Sequence, residues 1–351
     1  MRHSQLTFAR EYRELTQSEL ANSIKGLSQS NLSKFEKGFD VISEDLFTNI
    51  ISFLNFPSSF FDKKINTQIE NAHYRKKSAI SKSIVQKFER TCNLVGFIVD
   101  HFSDSLEWPE FKLQQLNVDE GFSPTYVARY TRKLLKLDDR EPVKNINELL
   151  ESNGVIIYEI IANEKFDGVS FFTPNGYPII IVNKSSSNDR KRLTIAHELG
   201  HILLHHSYVS EFRDKEKEAY EFAGEFLMPG SIVKESLRNL RLSDLGPAKS
   251  YWLTSMASII VRARNLGSID NDRYRYLLIE MSRSGYNRNE PINVPIDEPR
   301  LFSNSLSSFL KDLQYSIDDI CKYLSLPKDI LDDIFSSQST PKLRIAYSAQ
   351  S

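Results

Sequence analysis

Two histidines four residues apart stand in the run His197-Glu198-Leu199-Gly200-His201, in the middle of an otherwise apolar stretch. Histidines at that spacing lie one turn apart on one face of a helix, so both can reach a single ion. The flanks, Arg192-Leu193-Thr194-Ile195-Ala196 and Ile202-Leu203-Leu204, supply a continuous apolar face. That predicts a buried helix with a short polar strip. Burying a polar side chain without a partner costs about 1–3 kcal/mol, and a metal ion satisfies both histidines at once. Neutral imidazole is a good zinc ligand. The glutamate beside the first histidine sits where a general base meets a metal-activated water. The pattern points to peptide-bond hydrolysis, although three fixed positions also arise by chance. Gly200 lowers helix propensity by about 1 kcal/mol relative to alanine. Close approach of another backbone, of a substrate, or packing alone accounts for it.

At 351 residues the chain is long enough for two or three domains. Its formal net charge of −1 sets up no global field toward nucleic acid or membrane. Cys92 and Cys321 are its only cysteines. They exclude a disulfide framework and a cysteine zinc site, and they fit a reducing cytosol. The first residues lead into a charged helix rather than an apolar signal core. The longest apolar runs, at 94–99 and 178–182, are too short to span a bilayer. A cytoplasmic protein with no membrane partner is expected.

Residues 1–62 read as an all-helical unit. Thr16 and Glu19 form a capping box ahead of Leu20 and Ala21. Lys25-Gly26-Leu27 makes a break, Ser28 caps a second helix through Phe35, and Gly38 ends it. Two short helices about a tight turn predict a helix-turn-helix, whose second helix enters the major groove. The candidate DNA contacts are Gln17, Ser28, Gln29, Ser30, Asn31, Ser33 and Lys34. Leu15-Thr16-Gln17-Ser18-Glu19-Leu20-Ala21, with Ser28-Gln29-Ser30-Asn31-Leu32-Ser33-Lys34-Phe35-Glu36-Lys37-Gly38, resembles the XRE/Cro-type repressor domain. The resemblance implies five helices, a DNA operator as partner and a homodimer. A protein-binding helical module is the alternative, because Glu11, Glu14, Glu19, Glu36 and Asp40 nearly balance the basic residues.

Residues 63–123 read as a helical linker region, with helical spacing at Phe88, Cys92, Leu94, Val95 and Ile98 over a helix expected within 80–116. Lys63, Lys64, Arg75, Lys76, Lys77, Lys82, Lys87 and Arg90 outnumber Glu70 and Glu89. Such a stretch follows phosphates or is a solvated linker helix, and the linker is favoured.

Residues 124–246 form the next unit: helices at 126–135 and 146–151, then strands at 155–158, 169–172 and 177–182. Asn175-Gly176 between the last two is a hairpin signal. A small sheet would lie against the metal-binding helix, with an edge strand able to hold an extended substrate. A third ligand must come from the helix at 216–229, whose buried stripe is Ala219, Phe222, Ala223, Phe226 and Leu227. Glu218 and Glu216 compete on geometry, while Glu221 and Glu225 project toward solvent.

Residues 190–205 around the histidine motif, followed by Glu218-Ala219, Phe222-Ala223 and Phe226-Leu227-Met228-Pro229, resemble the ImmA/IrrE metallo-endopeptidases. The resemblance spans about 124–291. It implies Zn2+ held by His197, His201 and Glu218, with Glu198 as general base. Tyr220 departs from the family's usual asparagine. The fold class expected is therefore α+β and mostly helical: a helix-turn-helix domain, a zincin-like domain with its sheet on the metal helix, and a helical C-terminal region. His205 is read as a helix-end histidine bonding a last carbonyl rather than an extra ligand, and His206 as a surface residue. Tyr208 and Tyr220 are possible transition-state donors that nothing in the sequence separates.

Residues 247–335 read as helices at 252–266, 272–282, 306–313, 317–324 and 327–335, with 336–351 a disordered tail. The run from Ser316 to Leu324 echoes that from Thr16 to Ile24, as a degenerate helix-turn-helix. Asp318, Asp319, Asp329, Asp332 and Asp333 suit it to protein rather than phosphate. The resulting expectation is a DNA-binding regulator fused to a zinc endopeptidase that cleaves a helix-turn-helix repressor or antitoxin, with a toxin as a further partner. The alternatives are a regulator whose zinc domain senses without cutting, and a purely structural zinc site.

Overall fold

The computed structural model describes residues 2–63, 65, 81–162, 166–205, 213–287, 289–296 and 298–336. Lys64, Glu70, Arg75, Lys76, Lys77, His206, Tyr208 and the tail beyond 336 lie outside the described residues. In chain order the elements are α1 (Arg2–Tyr12), α2 (Gln17–Ser23), α3 (Gln29–Glu36), α4 (Glu44–Leu54), α5 (Lys82–Phe102), α6 (Pro124–Leu134) and α7 (Ile146–Glu151). The strands β1 (Ile156–Ile160), β2 (Gly168–Phe172) and β3 (Pro178–Asn183) follow. Then come α8 (Asn188–Leu204), α9 (Lys215–Leu227), α10 (Gly230–Ser236), α11 (Leu242–Trp252), α12 (Met256–Asn265) and α13 (Asn271–Arg283). The chain continues with α14 (Leu301–Lys311), α15 (Ile317–Leu324) and α16 (Lys328–Ser336). The α+β, mostly helical class holds.

The chain divides into two compact units. Among the described residues, the first runs to Leu106 and resumes at Leu301, and the second spans Glu107–Arg300.

In the first unit, Thr16 and Glu19 exchange the two hydrogen bonds of a capping box at the start of α2. Gly26, at φ +87°, turns the chain toward α3. Ser28 Oγ then accepts from the Asn31 amide at 3.1 Å. The described residues up to Asp62 form four α-helices and a 3₁₀ turn over Ser58–Asp62, where the resemblance implied five helices. Helix α5 packs on α1, and the buried Arg10 guanidinium holds Glu36 at 2.6 Å. Helices α14–α16 belong to this unit: Phe102 meets Phe309 with ring centroids 4.2 Å apart, and Phe302 stacks on Phe335 at 4.9 Å. Ser316 and Asp319 repeat the capping box at α15.

Three element expectations shift. Helix α5 stops at Phe102 within the stretch read as helical to 116. The helix expected at 252–266 begins only at Met256, as α12, and Trp252 instead ends α11. Leu253 turns left-handed at φ +56°, and Ser255 Oγ caps the new start through the Ser258 amide at 3.1 Å. Helix α14 covers Leu301–Lys311 rather than 306–313.

The second unit carries the sheet, in the order β1-β3-β2. Strand β1 runs parallel to β3, and β2 antiparallel. All six residues of β3 are buried, as suits a central strand. The predicted Asn175-Gly176 hairpin is present, with Gly176 at φ +89°. Helix α8 lies against β2, β3 and α9, over a core that includes Ile180, Leu199, Leu203, Phe222 and Phe226. Residues 107–121 join this unit, where the Leu116 amide bonds the Leu203 carbonyl at 2.9 Å at the end of α8. No helix among the described residues is long and apolar enough to cross a membrane.

Candidate metal centre

Helix α8 is buried almost all round, so its polar residues need partners. Lys191 pairs with Glu159 on β1 at 2.9 Å, and Asp189 with Lys249 on α11 at 2.7 Å. Arg192 donates to the carbonyls of Val143, Lys144 and Leu253. Those anchors fix the N-terminal part of the helix. His197, Glu198 and His201 remain on the strip facing β2 and α9.

The two imidazoles converge, with His197 Nε2 and His201 Nε2 3.1 Å apart. Glu216 closes the triangle: its carboxylate lies 3.1 Å from His201 Nε2 and 3.5 Å from His197 Nε2. Among the described residues, these three are the group of histidine, cysteine and acidic side chains whose ligand atoms could share one ion. Nitrogens each about 2.05 Å from a tetrahedral zinc lie roughly 3.3 Å apart, so the donor set and its spacing fit that ion. Two neutral imidazoles and one carboxylate also leave a coordination position for substrate.

The third corner is Glu216, not the Glu218 assigned from the family resemblance. The reason is helical phase. Ala219 lies on the face of α9 that meets α8, since a β-carbon on Gly200 would lie 3.2 Å from its Cα. Glu216, three residues earlier, stands on that same face, while Glu218 is about 100° around the helix. Glu218 is engaged elsewhere: its Oε2 is 3.0 Å from His205 Nε2, and its Oε1 accepts from Arg213 Nε at 2.9 Å. Gly200 thus serves the close approach of a second backbone.

Glu198 is 1 % exposed. Its Oε2 accepts from the Ser170 hydroxyl at 2.8 Å. Burial pushes its carboxyl up to about 7, against the opposing pull of His197 and the Ser170 hydrogen bond. Gly168 permits this contact, because a β-carbon there would lie 2.5 Å from Thr194 Cγ2 and 3.2 Å from Glu198 Cγ. Sequence reasoning missed Ser170; its one trace is a hydroxyl in an otherwise apolar strand.

His205 does not cap a carbonyl with its ring. Its Nδ1 faces His201 Nδ1 at 3.0 Å. Burial holds its pKa below the ordinary histidine value, with Glu218 pulling the other way. The Tyr220 ring packs on His197 with centroids 4.1 Å apart, and it also lines a cleft of about 1380 Å³ with Leu193, Gly224 and Val261. Glu225 does not project to solvent. It is buried between Arg262 and Arg129, and its Oε1 also accepts from the Gly230 amide at 3.2 Å.

In the first unit, Ser28, Gln29, Ser30, Asn31 and Lys34 are exposed, while Gln17 and Ser33 are half-buried. Gln17 bridges α2 to α3: its amide donates to Glu36 at 2.7 Å, and its oxygen accepts from Gln29 at 3.0 Å. Ser28 spends its hydroxyl on the α3 cap.

No curated protein matches the chain. Residues 151–264, which run from the end of α7 through the sheet, α8 and α9 into α12, match the IrrE N-terminal-like domain of the M78 peptidases. This match supports the ImmA/IrrE resemblance and a metallopeptidase-like role for that part of the chain.

Proposed function

We propose that the second unit is a zinc-dependent endopeptidase and the first a DNA-binding unit, together forming a cytoplasmic regulator that relieves repression by proteolysis. The observation that carries the reading is the convergence of His197, His201 and Glu216 beside a buried Glu198, inside the segment similar to M78 peptidases. The two histidines and Glu216 hold the ion, which when bound supplies a Lewis acid that polarises the scissile carbonyl and acidifies a water. Glu198 takes the proton from the attacking water and passes it to the leaving amine. Ser170 holds Glu198 Oε2, leaving Oε1 as the oxygen not engaged by that hydroxyl.

Strand β2 supports an extended peptide as substrate. The Asn183 amide bonds the Asp167 carbonyl, and the Thr173 amide bonds the Tyr177 carbonyl. Bonding alternates along an antiparallel pair, so odd-numbered residues face β3. Gly168 and Ser170 then turn their backbone groups to the edge away from β3, where a substrate strand can add.

The two capped helices α2 and α3, with exposed Gln29, Ser30, Asn31 and Lys34, suit an operator as partner of the first unit. A homodimer matches an operator with two half-sites, and a helix-turn-helix repressor or antitoxin, with its toxin, completes the expected partners. The test is zinc content and cleavage of such repressors by purified protein. His197→Ala is expected to lose zinc. Glu198→Gln keeps zinc and loses cleavage by about 10²–10⁴-fold. Unchanged proteolysis by Glu198→Gln sinks the mechanism, and retained zinc with no cleavage of any candidate leaves a sensor.

A further inference from the structure

His201 has two ring nitrogens, and the structure gives each a different neighbour. Nε2 faces His197 and Glu216, while Nδ1 lies 3.0 Å from His205 Nδ1. His205 Nε2 is in turn 3.0 Å from Glu218 Oε2, and Glu218 Oε1 accepts from Arg213 Nε at 2.9 Å. The His205 side chain is only 3 % exposed.

For neutral rings the protons along this chain have one consistent arrangement. An ionised carboxylate only accepts hydrogen bonds, so His205 carries its proton on Nε2 and donates it to Glu218. Its Nδ1 is then a lone pair that accepts from His201 Nδ1–H. That leaves the lone pair of His201 on Nε2, the nitrogen that faces His197 and Glu216 and would ligate an ion there. A metal-binding histidine ordinarily donates its second N–H to a carboxylate, a carbonyl or water. Here an imidazole stands between the ligand and the carboxylate.

We infer that His205 and Glu218 are positioning residues that fix His201 in the Nδ1–H tautomer and orient it for zinc. Arg213 holds the far end of the chain in place. The inference rests on the zinc reading above, and it gives Glu218 a role other than ligation.

The test uses the full chain. Long-range proton–nitrogen NMR of the zinc-loaded protein reads the tautomers directly: Nδ1–H on His201 and Nε2–H on His205 are expected. Zinc affinity, measured by competition with a chelating dye, is expected to fall about 10- to 100-fold in His205→Leu and in Glu218→Ala. His205→Gln keeps an acceptor and a donor on one side chain and is expected to recover most of that loss. The idea is overturned by a His205 proton on Nδ1, by His205→Leu binding zinc like the wild type, or by His205→Gln binding as weakly as His205→Leu. The tautomer measurement needs no substitution and decides the matter where a variant fails to fold. A wild-type chain that binds no zinc overturns both this inference and the reading beneath it, whereas normal zinc binding with indifferent variants overturns this one alone.

Discussion

Gly200 and Ala219 bring α8 and α9 close together: a β-carbon on Gly200 would sit 3.2 Å from Ala219 Cα and 3.3 Å from its carbonyl oxygen. Two of the three nearest atoms are Ala219 backbone and the third is Phe222 Cδ1 at 3.2 Å, so a larger side chain moves a helix and not only a rotamer. Glu216 rides on that helix, one turn before Ala219. Gly200→Val is therefore expected to destabilise the fold by about 1–3 kcal/mol through overpacking and to weaken zinc binding as well. Urea unfolding and chelator competition read the two effects separately. A chain that loses stability but holds zinc like the wild type would show that Glu216 does not follow α9.

The buried Glu225 carboxylate sits between Arg262, itself largely buried, and the half-exposed Arg129. Removing it leaves the Arg262 guanidinium in the interior without its counter-charge. Breaking a buried pair from one side costs about 3–5 kcal/mol. Glu225→Ala is expected to lower the urea midpoint accordingly, and a change under 1 kcal/mol would mean that water reaches Arg262.

Glu225 and Glu216 also mark where the sequence stops being legible. His197, Glu198 and His201 are readable because their geometry is local: one helix, one turn, one face. The β2–β3 hairpin is readable for the same reason, from Asn175-Gly176 between two apolar runs. Glu225 falls off the apolar stripe of α9 and so reads as exposed. Its burial comes from Arg262 on α12 and Arg129 on α6, distant partners that no local pattern announces. The choice of Glu216 over Glu218 turns on which side of α9 meets α8, a matter of helix packing. The grouping of α14–α16 with α1–α5 likewise rests on contacts such as Phe102 with Phe309, some 200 positions apart in the chain.

Asp189 supplies a pH prediction away from the metal centre. Burial pushes its carboxyl up, but hydrogen bonds from Lys249, Ser187 and the Arg190 amide outweigh it, and the net position is below the ordinary aspartate value. The folded state thus binds this proton less readily than the unfolded chain. Its stabilisation is complete above the unfolded value and drains as pH falls through the folded one. The stability gap between wild type and Asp189→Asn should be constant near neutrality and close progressively below about pH 4. A gap that persists undiminished under acid would show that the carboxylate's charge contributes nothing. Lys249 keeps Glu290 as a partner in that variant, so the comparison isolates Asp189.

Ser170 offers the sharpest separation of holding zinc from using it. Its hydroxyl touches Glu198 and none of the three clustered groups, so Ser170→Ala should leave zinc affinity unchanged. What the variant loses is a hydrogen bond to a charged group, worth about 1.5–3 kcal/mol. If Ser170 orients Glu198 for proton transfer, kcat should fall about ten- to a hundred-fold while KM holds, because peptide binding along β2 uses backbone groups that the substitution leaves in place. A raised KM with kcat intact would instead make the Ser170 hydroxyl itself a substrate contact. Unchanged turnover would mean that Glu198 is held in place by the packing of Gly168 and Thr194 alone.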